Sequence, residues 1–224
     1  MMGIAENILK LKSELAEGVT LVAVSKTKPN EDVLAAYEVG QRIFGENKVQ
    51  ELAAKYEALP RDIEWHFIGH LQTNKVKYIA PFVSLIHGVD SMKLLKTIDK
   101  EAAKANRTIP CLLQFHIAEE ESKFGLNAGE ARAILQSDEY AAMKNVQLCG
   151  VMGMATYTDD EAQIRREFAQ LKKIFEQIKD EFFGENESFS EISMGMSGDY
   201  PLAIAEGSTM VRVGSRIFGA RQYH

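Results

Sequence analysis

No apolar run in this sequence approaches the roughly 18 residues that a membrane-spanning helix requires, so a soluble protein is expected. The first residues, MMGIAENILKLKSEL, lack the continuous apolar core and small-residue cleavage site of a signal peptide. Cysteine is scarce. Its 2 copies, Cys111 and Cys149, sit in apolar segments without metal-ligand spacing, as expected of buried reduced thiols in a cytoplasmic protein. There is no Pro-rich linker, charge block or low-complexity stretch, so residues 1–224 are expected to form one domain. Positive charge is not in excess: 26 basic residues face 32 acidic ones, for a net charge of −6. That balance offers no general attraction to nucleic acid or to an anionic membrane. A GxGxxG fingerprint after an early strand is also missing, which argues against a doubly wound dinucleotide-binding sheet.

What the sequence does contain is a strand-then-helix rhythm, the pattern of a parallel sheet. A first helix is expected over about 3–17, with Ile4, Ile8, Leu11 and Leu15 on one face and Gly18 as its stop. The run VTLVAVS (19–25) then reads as a buried strand, being short, apolar and β-branched. Further strands are expected at 42–45, 65–68, 84–87, 109–116, 146–152, 191–193 (the weakest) and 210–213. Helices are expected between them at 29–40, 48–59, 74–79, 92–105, 128–135, 164–182 and 200–206. Residues Ile164, Phe168, Leu171, Phe175, Ile178 and Phe182 alternate steps of four and three, a core-packing stripe. Eight short strands with intervening helices match an α/β fold of the (β/α)8 TIM-barrel type with an extra N-terminal helix.

In such barrels the site lies at the C-terminal ends of the strands. Loops seven and eight, where barrels often hold a phosphate, carry Ser197, Gly198, Gly214 and Ser215. Glycine lets backbone N–H groups approach an anion closely, and serine adds a hydroxyl donor. A helix beginning near Asp199 would add its positive end. Lys26 closes the first buried strand, and a partly desolvated lysine can form an imine with an aldehyde. Lys28, two residues on, competes for that role, although Pro29 beside it places Lys28 already in the loop. Arg212 lies within strand eight on the same face as Gly214, where burial is costly unless it contacts a ligand or an acid.

Other groups read as structural. His66 and His70 straddle a strand end at Gly69, which is poor geometry for a helical zinc pair, so no metal is expected. His87, His116 and His224 have no evident partners, and Glu119, Glu120 and Glu121 read as a solvated loop. Trp65 and Phe67 read as core.

The segments VAVSKTKP, FGENKVQE, WHFIGHLQTNK, GVMGMA, SMGMSGD and GSTMVRVGSRIFG occur in that order along nearly the whole chain. They resemble the YggS-type pyridoxal phosphate homeostasis proteins and, more distantly, the N-terminal barrel domain of alanine racemases. The resemblance implies that Lys26 carries pyridoxal 5′-phosphate (PLP) as a Schiff base. It implies that Ser197, Gly214 and Ser215 cradle the phosphate, that Arg212 faces the pyridine nitrogen, and that Asn47 lies beside the ring. His66, Met154, Met194 and Gly198 fall in family motifs near the pocket. Two positions depart from the pattern: Lys48 stands where many members have an aromatic residue, and Gly198 where relatives often have an acid. Neither departure removes a residue that the resemblance assigns to the cofactor.

An arginine beside the ring nitrogen disfavours its protonation and makes a poorer electron sink. Racemases tolerate this but add a second base from another domain or subunit, which a chain ending at His224 is not expected to supply. The resemblance therefore implies a non-catalytic, cytoplasmic, monomeric holder of PLP that acts in vitamin B6 and amino-acid balance and can supply PLP-dependent apoenzymes. The alternatives are a PLP-dependent amino-acid racemase, or a class I aldolase using Lys26 on a sugar phosphate.

Overall fold

The computed structural model describes residues 3–119 and 124–219; Glu120, Glu121 and His224 lie outside them. Eight parallel strands close into a barrel in sequence order: β1 (Thr20–Val24), β2 (Ile43–Glu46), β3 (Glu64–Phe67), β4 (Leu85–Val89), β5 (Ile109–Gln114), β6 (Val146–Met152), β7 (Glu191–Met196) and β8 (Met210–Val213). Closure is made by β1 on β8, with Thr20 opposite Met210 and Ala23 opposite Val213. Parallel neighbours need long crossovers. These are α2 (Asn30–Glu38), α3 (Val49–Ala58), a 3-10 turn (Thr73–Tyr78), α4 (Met92–Lys104), α5 (Ala128–Leu135) with the short α6 (Asp138–Ala141), α7 (Glu161–Ile178) and α8 (Tyr200–Ala205). The expected N-terminal helix is present as α1 (Ile4–Glu14), and α9 (Ser215–Phe218) follows β8.

Side-chain alternation along the strands separates two apolar layers. Outward residues such as Leu21, Ala23, Phe44, Trp65, Phe67 and Ile86 pack under the helices. A smaller inward cluster of Val22, Leu85, Leu112, Met152 and Met210 fills the barrel's lower interior. Fully burying each such side chain stabilises the fold by about 1.5–3 kcal/mol. The α7 stripe lies in the outer layer, with Phe168 and Leu171 fully buried. The helix gives way to a π turn at Lys179–Phe183, so the expected helix to 182 is regular only as far as Ile178.

Two bulges decide which residues face inward. On β6 an extra residue opposite Cys111 and Leu112 flips the faces, so that Val151 packs outward and Met152 inward. Gly150 sits there at φ 153°, where a Cβ would collide with the Glu191 carbonyl. On β7 the register shifts between Ser193 and Met196. Gly195 at that bulge has φ 96°, and a Cβ there would stand 2.6 Å from the Ala203 Cβ on α8. β7 thus runs to Met196, past the expected end at Ser193.

Cys111 is fully buried, and burial pushes its thiol far up. Cys149, expected to be buried, is only half-buried because it occupies the β6 bulge. No helix among the described residues is long and apolar enough to cross a membrane.

Candidate functional site

Alternation along β1 places Val22 and Val24 inside the barrel, and the next inward position is Lys26, at its C-terminal mouth. The chain then turns. The Lys28 N–H donates to the Ser25 carbonyl at 3.0 Å, and Thr27 takes the left-handed conformation at φ 64°. Such a φ is a genuine outlier for a β-branched residue.

Lys26 opens onto a cavity of about 620 Å³ at the C-terminal ends of the strands. Asn47 after β2, Met154 after β6, Ser197 and Gly198 after β7, Arg212 on β8, and Gly214 and Ser215 after it line the same cavity. The structure thus brings together every site candidate read from the sequence except two. Met194 is fully buried in the outer layer, because it precedes the β7 bulge on the outward face. His66 points inward but one layer below the mouth, where it is buried against His87. Lys28, the competing lysine, also lines the cavity, as do Arg216 and Tyr157, the last of which was not singled out from sequence. Tyr157 is 97% exposed at the rim. The Lys28 ammonium donates to the Phe218 carbonyl at 2.8 Å.

The lining is electrostatically one-sided. Lys26, Lys28, Arg212 and Arg216 face a single carboxylate, Asp199, in a protein whose net charge is −6. Such a concave cationic surface concentrates anions. Where β7 and β8 end, the Gly214 N–H donates to the Ser197 hydroxyl at 3.1 Å, tying the two turns together. A Cβ on Gly214 would press on the Val24 carbonyl at 3.1 Å, so this turn abuts the β1 end. The helix expected near Asp199 is α8, but Asp199 brings its own carboxylate there, accepting from the Met196 N–H at 2.6 Å. Of the lining residues, Asn47 has its side-chain carbonyl buried without a hydrogen-bond donor among the described residues. An orphaned acceptor of this kind on a cavity wall is a ligand signal.

Arg212 is buried under the cavity floor, with burial pushing its pKa down to about 10, so it remains a cation at neutral pH. Its guanidinium donates to the Ser193 hydroxyl at 2.6 Å and the Gly153 carbonyl at 3.1 Å. The partners are neutral acceptors rather than a carboxylate. Ser193 lies 2.9 Å from His87 Nδ1, and His87 Nε2 lies 3.0 Å from His66 Nδ1. His87, expected to lack partners, therefore has two. One orientation satisfies the row: arginine donates to serine, serine to His87, and His87 to His66, with both rings neutral. Burial holds His66 down to about 3, and burial with the neighbouring His66 and Arg212 charges holds His87 well below its usual value. His70 lies apart, 3.3 Å from Asp90 and stacked on Phe124.

A model of the family described as alanine racemase, N-terminal domain, matches residues 2–222. The pyridoxal phosphate homeostasis protein of Aquifex aeolicus is 39% identical over 205 residues, spanning 91% of this chain and 87% of that protein. Among solved structures, PipY of Synechococcus elongatus PCC7942 without PLP superposes with a TM-score of 0.90 at 37% identity, covering 96% of this chain and 100% of that one. The structure of PipY with PLP bound gives a TM-score of 0.86 at 36% identity, with the same coverage. With its whole barrel matched and its relatives spanned nearly end to end, the chain belongs to the alanine racemase N-terminal domain family and to the family of pyridoxal phosphate homeostasis proteins.

Proposed function

We propose that this protein binds PLP with Lys26 as its covalent anchor and serves PLP homeostasis by holding the cofactor rather than by turning over a substrate. The observation that carries the reading is the placement of Lys26: the inward amine at the mouth of a cationic cavity whose lining also holds the orphaned Asn47 acceptor. The residues fit the group. A dianionic phosphate suits the joined Ser197–Gly198 and Gly214–Ser215 turns, and a ring hydroxyl suits the Asn47 carbonyl. Arg212, a buried donor-only cation, suits an unprotonated ring nitrogen as acceptor.

When bound, PLP supplies an aldehyde carbon that condenses reversibly with a primary amine, releasing water. Everything else falls to the chain. Lys26 offers the amine from a turn of fixed shape. Lys28 is held back by the Phe218 carbonyl, which supports Lys26 as the anchor. Arg212 would disfavour a proton on the ring nitrogen and so leave a poorer electron sink. Met154 and Gly198 complete the walls. The same reading makes the protein a cytoplasmic monomer that releases PLP to apoenzymes.

The test is titration with PLP followed by borohydride reduction and peptide mapping. The expected result is a visible absorption band and a tag on Lys26, both lost in Lys26→Ala with the circular dichroism unchanged. No band, or a tag confined to Lys28, overturns the anchor. Conversion of L- to D-amino acids at an ordinary enzymatic rate overturns the non-catalytic role.

A further inference from the structure

Lys55 is a buried lysine on α3, outside the barrel, with its side chain only 5% exposed. Burying an ammonium costs several kcal/mol unless it is fully paired. Here Nζ reaches Glu46 Oε1 at 2.6 Å, the Ser25 carbonyl at 2.7 Å and Glu51 Oε1 at 3.0 Å. The carboxylates complete the clamp: the Ser25 hydroxyl donates to Glu46 Oε1 at 2.6 Å, and the Thr27 N–H donates to Glu51 Oε1 at 2.6 Å. Three charged side chains therefore grip both residues that flank Lys26.

The grip has a structural consequence. Ser25 and Lys26 lie on opposite faces of the chain, so pinning Ser25 outward directs Lys26 inward. Thr27 at φ 64° is held in a conformation that costs roughly 1–3 kcal/mol and persists only when its surroundings over-determine it. The Glu51 carboxylate on the Thr27 N–H supplies that constraint. Stability alone does not call for such a cluster, because well-packed apolar residues in place of a buried ion pair are often neutral or stabilising. Placement of the turn does call for it.

We propose that Glu46, Glu51 and Lys55 are positioning residues that fix the 25–28 turn so that the Lys26 amine, and not that of Lys28, reaches the cofactor aldehyde. The proposal rests on Lys26 being the anchor. Glu46 and Lys55 are core groups, whereas Glu51 is 23% exposed and can be altered with the core intact.

The experiment uses the full chain with PLP as the probe. It compares wild type, Glu51→Ala, Glu51→Gln and Lys55→Met by visible titration, thermal unfolding and borohydride tagging. In Glu51→Ala the apparent Kd for PLP should rise about tenfold, the size expected for loss of one hydrogen bond to a charged group. Part of the tag should move from Lys26 to Lys28. Glu51→Gln keeps an acceptor for the Thr27 N–H and should restore tagging at Lys26. Lys55→Met should redistribute the tag at least as strongly; if it does not fold, the Glu51 pair decides alone. A lowered unfolding temperature with wild-type affinity and tagging only at Lys26 would show a merely structural role and overturn the proposal. A wild-type protein that never tags Lys26 would instead defeat the anchor assignment itself.

Discussion

The Arg212 guanidinium and the Ser193 hydroxyl meet at 2.6 Å beneath the cavity, and the same hydroxyl lies 2.9 Å from the His87 ring. Ser193 is thus the only link in the row between a permanent donor and a neutral imidazole. Ser193→Ala leaves both buried groups short of one partner, at a cost of about 1–3 kcal/mol. The expected outcome is a lower urea midpoint with an unchanged m-value. The proposed function adds a second readout, a shift of the visible band of bound PLP, because the guanidinium loses the contact that orients it. Loss of stability with an unmoved band would separate Arg212 from the ring.

Acid should weaken the fold through the same row. Burial holds His66 down to about 3 in the folded chain, against an ordinary imidazole value of about 6.5, and depresses His87 as well. A depressed folded value means that the unfolded chain binds more protons between the two pKa values. The stability contributed by the neutral rings is complete above pH 6.5 and falls as pH drops towards 3. Each proton accounts for up to about 1.4 kcal/mol per pH unit. In the row, a second proton would set two ring N–H donors face to face. Unfolding midpoints followed from pH 7.5 to 4.5 should therefore decline, and His66→Gln should flatten the slope. A variant as acid-sensitive as wild type would place the effect elsewhere.

The barrel was legible because its signals are local and repeated. Each strand is a short β-branched or apolar run closed by a glycine or polar turn, and Val22, Val24 and Lys26 share a parity that places the amine without any tertiary information. Parity also explains the misreadings. Met194 lies one residue before the Gly195 bulge and was assigned to the pocket by motif rather than by face, whereas the fold buries it outward. His66 has the correct face but the wrong depth, which sequence does not encode. The His87–Ser193 bond joins residues 106 apart, and the Lys55–Ser25 contact residues 30 apart. Neither spacing carries a signal in one sequence. A buried lysine on a helix such as α3 looks solvated until the strand turn packs against it.

Glu167 on α7 holds two loops at the barrel mouth. It accepts from the Thr156 N–H at 2.6 Å, the Thr156 hydroxyl at 2.7 Å, the Gln163 amide at 3.1 Å and the Glu119 N–H at 3.2 Å. Burial opposes its charge, but these donors outweigh burial and hold the carboxyl below its usual range. Glu167→Ala should speed amide exchange at Thr156 and Glu119 by about tenfold or more, on the scale of hydrogen bonds to a charged group. Amides in β1 and β2 should stay protected. Uniform acceleration across the chain would mean that Glu167 supports global stability and not these loops.

Ser197 offers the sharpest division of the cofactor into parts. Its hydroxyl joins the β7 and β8 turns through the Gly214 N–H at 3.1 Å, and it lines the same cavity as Lys26 from a different loop. If those turns grip the phosphate, Ser197→Ala should weaken PLP binding by about tenfold, on the scale of a hydrogen bond to a charged group. Binding of pyridoxal, which has the aldehyde but not the phosphate, should scarcely change. Arg212→Met should behave differently. Removing a buried cation that faces the ring is expected to alter the spectra of both vitamers alike, and it should be less harmful to stability than leaving its partners around an unpaired charge. Parallel titrations of the two variants with the two vitamers therefore form a square. Equal losses for PLP and pyridoxal in Ser197→Ala would remove the phosphate from loops seven and eight. They would leave the joined turns as a purely structural tie.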